Sequence, residues 1–140
     1  MEGSVDAAIE TLRDAKTLAV VGLDSRTDRV AYRIATYLQR AGFRIIPVHR
    51  GQFPADAVLG EKAFASLRDV PEPVDLVDVF VRSEQTGPVI DDAIAIGAKG
   101  VWLQAAIFND DGLGRARAAG LTATQDRCTM VEHRAMIRGD

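Results

Sequence analysis

The feature that most constrains this chain is a short apolar run that ends at a glycine and leads into a polar loop. Thr17 to Val21 are apolar or β-branched without alternation, which is typical of a strand buried on both faces of a parallel sheet. Gly22 ends this strand, and Asp28 is predicted to cap a helix that stops at Gly42. A strand, a glycine turn and a helix N-terminus in succession predict the first unit of a nucleotide-binding α/β domain.

Further apolar segments alternate with helical patterns along the chain. The other predicted strands are residues 44–48, 74–80, 100–104 and 121–125, and Pro47 is expected near the end of its strand. The predicted helix N-caps are Ser4, Ser83 or Thr86, and Asn109, with a short helical piece around residues 63–67 and a final helix over 130–138. This alternation predicts an α/β fold with a doubly wound, parallel five-stranded sheet flanked by helices, in the strand order 3-2-1-4-5. The switch point then lies between the first and fourth strands.

Composition is that of an ordinary globular domain, with 140 residues of which 47% are hydrophobic and 26% charged. A net charge of −3 speaks against a broad nucleic-acid surface. No apolar run approaches the roughly 20 residues of a membrane span, and no signal-peptide pattern opens the chain. A single cysteine, Cys128, cannot form an internal disulfide, which favours a cytoplasmic location.

Cationic side chains follow several of the predicted strands. Ligands of doubly wound sheets bind at the carboxyl ends of the strands, which selects residues 22–29, 49–51, 81–83 and 105–108. Guanidinium groups bind phosphate in a bidentate way, so an anionic ligand is predicted at this edge. The arginines concerned are Arg26, Arg29, Arg50, Arg82 and Arg127.

The details of two loops speak against an ordinary NAD site. The dinucleotide fingerprint G-x-G-x-x-G is absent, because Gly22 is followed by Leu23-Asp24-Ser25-Arg26. The amides of residues 22–25 are expected to hold a diphosphate, in space that a side chain at Gly22 would fill. His49-Arg50 stands where an NAD site usually has Asp or Glu, which fits a ribose bearing a phosphate, as in NADP or coenzyme A.

No catalytic or metal-binding constellation is predicted. Asp75 and Asp78 are three apart on a strand and face opposite ways, so a structural role is expected for both, with Asp78 binding amides of a neighbouring loop. Cys128 and His133 do not share a helix face and fall below the ligand count of a zinc site. This segment is predicted to be a packed tail that closes the domain.

Short motifs spaced along nearly the whole chain form a set. They are Ala19-Val-Val-Gly22 with Arg29 and Tyr32, Arg44-Ile-Ile-Pro-Val48, Leu59-Gly-Glu-Lys62, Val74-Asp-Leu-Val-Asp-Val-Phe80, Val101-Trp-Leu-Gln104, and Asp126-Arg-Cys128 with Glu132-His133. As a set they resemble the small stand-alone coenzyme A-binding proteins of bacteria and archaea, which are related to the N-terminal CoA-binding domain of the succinyl-CoA synthetase α subunit. The resemblance implies one Rossmann-like CoA-binding domain over residues 1–140, binding coenzyme A or an acyl-CoA without an established reaction.

Together, the loops and the resemblance give a set of predicted cofactor-binding residues. They are Gly22, Leu23, Asp24, Ser25, Arg26, Arg29, His49, Arg50, Val81, Arg82, Gln104, Ala105 and Ala106. The chain departs from the family pattern in three of these loops. His49-Arg50 replaces Asn-Pro, Val81 intervenes before Arg82, and Ala105-Ala106 stands where a glycine is common. Two alternatives stay open: an NADP-dependent enzyme, and an interaction module that no longer binds a ligand.

Overall fold

The computed structural model describes residues 2–51 and 56–139, which form five helices and seven strands. The strands are β1 (Thr17–Val21), β2 (Arg44–Val48), β3 (Ala57–Val58), β4 (Glu61–Lys62), β5 (Leu76–Val79), β6 (Gly100–Leu103) and β7 (Thr122–Thr124). The helices are α1 (Glu2–Asp14), α2 (Val30–Arg40), α3 (Thr86–Ala95), α4 (Asp110–Ala118) and α5 (Thr129–Arg138). Single 3₁₀ turns occupy Leu67–Asp69 and Ser83–Gln85.

Five of the strands form one parallel sheet, in the order β2-β1-β5-β6-β7. This confirms the α/β fold with a parallel five-stranded sheet flanked by helices. The predicted order was wrong in one respect, because the third strand of the sheet pairs with β1 and not with the outer side of β2. The order along the chain is therefore 2-1-3-4-5, and the switch point lies between β1 and β5.

The outer side of β2 is not free for another long strand. The β3–β4 hairpin precedes Phe64, which forms a parallel bridge to Val48. Phe64 donates its N–H to the Pro47 carbonyl at 2.9 Å, and its own carbonyl accepts from the N–H of His49 at 2.9 Å. Pro47 therefore lies on an edge strand, beside the last residue, where its missing donor is tolerated. The segment with the short strands β3 and β4 and the bridge at Phe64 therefore lies beside β2, where the prediction had placed β5.

Two apolar layers cover the two faces of the sheet. One layer packs α3 and α4 against the sheet, and the other packs α1, α2 and α5 against it. Trp102 is fully buried in the second layer and donates its indole N–H to the Arg127 carbonyl at 2.8 Å. The C-terminal segment thus closes the domain as predicted. Among the described residues, no helix has the length and apolarity to cross a membrane.

Several helix starts differ from the predicted ones. Arg29, not Asp28, is the N-cap residue of α2 and makes no side-chain cap, because a turn that joins the Arg29 N–H to the Arg26 carbonyl comes just before it. α1 begins before Ser4, and a bridge and a 3₁₀ turn replace the helical piece predicted around residues 63–67. The Asn109 cap is confirmed, since its side chain accepts from the Gly112 N–H at 2.8 Å.

Candidate functional site

The carboxyl ends of β1, β2, β5 and β6 lie side by side, because these strands are neighbours in a parallel sheet. We call the four loops that follow them the carboxyl edge: residues 22–29, 49–51, 80–83 and 104–109. Helices α2 and α4 begin directly after two of these loops, and α3 begins after the 3₁₀ turn Ser83–Gln85 that follows a third. The structure therefore brings together all four loops that the sequence selected.

Gly22 makes the turn that opens the carboxyl edge. Its φ is +98°, a left-handed conformation that favours glycine, and its N–H donates to the Val48 carbonyl at 2.8 Å. A Cβ at this position would lie 3.0 Å from the Phe80 carbonyl oxygen. The expectation that Gly22 leaves space for a ligand is therefore wrong, because the backbone at the end of β5 fills that space.

An ion pair fixes the loop between Gly22 and α2. Arg26 donates from Nη2 to Asp24 Oδ2 at 2.7 Å and from Nε to both carboxylate oxygens at 3.1 Å. The Asp24 carboxylate is buried and also accepts from the Arg26 backbone N–H at 3.0 Å. The bonds from Arg26 hold the pKa of Asp24 below its usual value although burial acts against them. The charge of Arg26 is thus largely compensated inside the protein, while Ser25 between the two is exposed.

Three other arginines of the carboxyl edge lack such compensation. Arg29, Arg50 and Arg82 are exposed, and none has a carboxylate partner among the described residues. The N-terminus of α2 beside Arg29 has neither a side-chain cap nor an acidic residue in its first turn. Arg44, Arg68 and Arg115 pair with carboxylates, and so does Arg127, whose partner Glu132 lies at 3.5 Å, whereas Arg33 and Arg40 on α2 form no ion pair with the described residues. The carboxyl edge thus gathers three such guanidinium groups on the neighbouring loops after β2, β1 and β5.

His49 adds an unpaired polar atom to the same edge. Its Nδ1 is buried and has no hydrogen-bond partner. Within the part of the chain that the structure describes, it is the one buried polar side-chain atom of this kind. Buried polar atoms usually have a partner, so this nitrogen fits a site that a polar ligand completes. The three free guanidinium groups and this atom together fit a ligand that carries several phosphates.

The loops after β5 and β6 have a different character. Val81 packs against the core, and Ala105 and Ala106 are exposed. Ala106 adopts a φ of +67°, and its N–H donates to Asp126 Oδ1 at 2.8 Å. The family's usual glycine would take this conformation without strain. Alanine here leaves a small apolar surface beside the end of the sheet.

Two of the predicted site residues direct their side chains away from the carboxyl edge. Leu23 is fully buried in the layer formed with α1, α2 and α5. Gln104 is also buried, and its amide donates to Asp78 Oδ1 at 2.5 Å and to Thr129 Oγ1 at 2.8 Å. Leu23 and Gln104 can therefore offer a ligand only their backbone groups.

Asp78, the partner of Gln104, has a structural role, but its predicted hydrogen-bond donors were wrong. It lies in the middle of β5 with no exposure and accepts from Gln104 and, at 3.0 Å, from Thr129 Oγ1, not from loop amides. Burial raises the pKa of Asp78 to about 7, although the two hydrogen bonds act in the opposite direction. The structural role of Asp75 is confirmed, since it accepts from the N–H groups of Lys16 and Thr17 at 2.9 and 3.0 Å.

The C-terminal segment contributes packing. Cys128 is partly buried against the core just before α5, and His133 Nδ1 lies 2.8 Å from the Tyr37 hydroxyl. The ring of His133 also meets Phe43 edge-on at 5.4 Å between centroids. Within residues 2–51 and 56–139, no group of three or more His, Cys, Asp or Glu side chains could hold a metal ion.

Comparison with known proteins places this geometry in a family. Residues 16–134 match the family model described as a CoA binding domain. The protein YneT of Bacillus subtilis is 36% identical over 124 residues, which cover 89% of this chain and 90% of YneT. A structure of a hypothetical protein from Pyrococcus horikoshii superimposes with a TM-score of 0.86 and 33% identity, over 96% of this chain and 92% of that one.

A larger protein contains a related segment. The ADP-forming acetate–CoA ligase II of Archaeoglobus fulgidus is 29% identical over 112 residues, which cover 76% of this chain and 16% of the ligase. The motif set, the sheet with its carboxyl edge and the family model all agree over nearly the same residues. The chain belongs to the CoA-binding domain family.

Proposed function

We propose that this protein binds coenzyme A at the carboxyl edge of its sheet and has no reaction of its own. The observation that carries the proposal is the group of three exposed arginines, Arg29, Arg50 and Arg82, without internal carboxylate partners in the described residues. In a chain of net charge −3, such a group favours a ligand with several negative charges. Membership of the CoA-binding domain family supports coenzyme A as that ligand.

The parts of coenzyme A can be assigned to loops by charge. The diphosphate is placed at the start of α2, where backbone N–H groups lack a side-chain cap and Arg29 stands at the N-cap. The adenosine 3′-phosphate is placed at the end of β2, with His49 and Arg50. The Asp24–Arg26 pair then acts as a positioning element that holds the loop between these two sites.

A role in cofactor binding is consistent with the small share of a larger relative that this chain matches. The matched segment of 112 residues corresponds to 16% of the acetate–CoA ligase. We propose that this segment supplies cofactor binding.

Calorimetric titration tests the proposal with coenzyme A, dephospho-coenzyme A, NADP and NAD. Coenzyme A should bind most tightly, and Arg50→Ala should weaken it about tenfold, because a charge-assisted hydrogen bond is worth about 1.5–3 kcal/mol. Arg40→Ala is the matched control, since Arg40 is also exposed but lies at the far end of α2. Equal affinity for coenzyme A and dephospho-coenzyme A would show that His49 and Arg50 do not read the 3′-phosphate. Tighter binding of NADP would favour the enzyme alternative.

A further inference from the structure

The strand order, together with the proposed positions of the adenosine and the diphosphate, indicates where the thiol end of a bound coenzyme A lies; this step rests on the proposed function. With adenosine at β2 and the diphosphate at β1, the rest of the ligand extends over the next strands of the sheet, β5 and β6. Neighbouring strands are about 4.8 Å apart, so the end of β6 is about 14 Å from that of β2. An extended pantetheine arm spans this distance, and its sulfur then reaches the loops after β5 and β6.

These two loops are largely apolar, whereas the loops after β1 and β2 are rich in charged and polar side chains. Residues 80–82 and 105–108 contain one charged side chain, Arg82, and the carboxylate that contacts them from outside is that of Asp126, which accepts from the Ala106 N–H at 2.8 Å. Two of the three departures from the family pattern, Val81 and Ala105-Ala106, lie here. We call the loops after β5 and β6 the apolar half of the carboxyl edge, in which Arg82 is the one charged residue, and the loops after β1 and β2 the charged half.

Phe108 is the exposed aromatic residue of the apolar half. It is 50% exposed, although its neighbour Ile107 packs against the core. The backbone on both sides is fixed, because Phe108 donates its N–H to Ser83 Oγ at 2.9 Å and Asn109 donates to Gln125 Oε1 at 2.8 Å. Phe108 is thus held at the end of the sheet by an anchored loop, and no packing role accounts for its exposed half.

We infer that the loops after β5 and β6 form an acyl subsite, and that the preferred ligand is an acyl-CoA with an uncharged aliphatic acyl group. The acyl group would lie on Ala105, Ala106 and Phe108, covering apolar surface that free coenzyme A leaves exposed to water. Each fully buried methylene strengthens binding about fourfold. Partial burial on an open surface gives a smaller factor, so butyryl-CoA should bind several times more tightly than acetyl-CoA.

The test is a calorimetric series with coenzyme A, acetyl-CoA, butyryl-CoA, hexanoyl-CoA and succinyl-CoA. Affinity should rise with aliphatic length, and Phe108→Ala should reduce the difference between butyryl-CoA and coenzyme A at least threefold. Ile137→Ala is the matched control, because Ile137 is a large exposed apolar residue on α5, away from these loops. This control should leave the whole series unchanged.

The possible failures can be told apart. If coenzyme A binds but its thioesters show no rise with chain length, the acyl subsite is wrong and the proposed function stands. Tightest binding of succinyl-CoA would also overturn the apolar subsite, and would assign recognition of the acyl carboxylate to Arg82. If neither coenzyme A nor any thioester binds, both the proposed function and the subsite are wrong.

Discussion

Replacing Asp78 by asparagine should change the pH dependence of stability more than any other substitution in the sheet. Burial raises the pKa of Asp78 from 3.8 to about 7, and no cation lies among its hydrogen-bond partners Gln104 and Thr129. The folded state therefore holds a proton that the unfolded chain releases near pH 4. Stability is fully present below that pH and is lost as the pH rises towards 7. With about 1.4 kcal/mol for each pKa unit, the loss is about 4 kcal/mol.

Urea unfolding followed by far-ultraviolet circular dichroism, at intervals between pH 4 and 8.5, measures this loss. Asp78→Asn stays neutral and keeps an amide oxygen for Gln104, so its free energy of unfolding lacks this contribution. The difference between the native protein and the variant should shift by about 4 kcal/mol across the range, to the disadvantage of the native protein at high pH. A difference that is independent of pH would refute the reasoning.

Asp75→Asn is the matched control, because Asp75 precedes the same strand and has the opposite linkage. Although burial acts to raise its pKa, bonds from the Thr17 and Lys16 N–H groups and the charge of Lys99 hold that pKa below 3.8. Asp75 therefore contributes stability at neutral pH that disappears in acid. Asp75→Asn should be less stable than the native protein at pH 8, with a deficit that shrinks as the pH falls below 4.

Three further substitutions test local features. Ala106→Gly should raise the free energy of unfolding by up to about 1 kcal/mol in urea denaturation, because it relieves a φ of +67°; lower stability would contradict this. Gly22→Ala should lower it by about 1–3 kcal/mol, since its Cβ would lie 3.0 Å from the Phe80 carbonyl oxygen, and an unchanged value would show that the turn relaxes. Cys128→Ser should cost about 1 kcal/mol, and Cys128 should react with iodoacetamide more slowly in the native protein than in urea, because it packs as a small hydrophobe. Rapid labelling that coenzyme A suppresses would instead indicate a reactive thiol at the site.

The elements of the sheet could be predicted from sequence because its central strands are mostly apolar runs without alternation, interrupted in β5 only by Asp78. In β1 (Thr17–Val21), for example, the last four residues are all apolar and buried. The strand order could not be predicted, because it depends on what covers the outer side of β2. That cover consists of two-residue strands and one bridge at Phe64, which leave no periodic pattern in the sequence.

The candidate site was predictable at the level of loops, because the carboxyl-end rule depends only on strands running parallel. The directions in which single side chains point could not be predicted, because tertiary packing decides them. Leu23 and Gln104 follow strand ends, yet the first fills the core and the second satisfies buried Asp78. A signal for that contact was present: a carboxylate within a buried strand needs internal donors, and Gln104 and Thr129 are polar residues beside apolar segments.

The location of the ligand is tested most directly by amide chemical-shift mapping of the isotope-labelled protein during titration with coenzyme A. The largest changes should fall on residues 22–29, 49–51, 80–83 and 104–109, the four loops of the carboxyl edge. Saturable changes that cluster elsewhere, such as on the outer faces of α2 and α5 or at the amino ends of the strands, would contradict the account. A spectrum that does not change on addition of coenzyme A would also contradict the account.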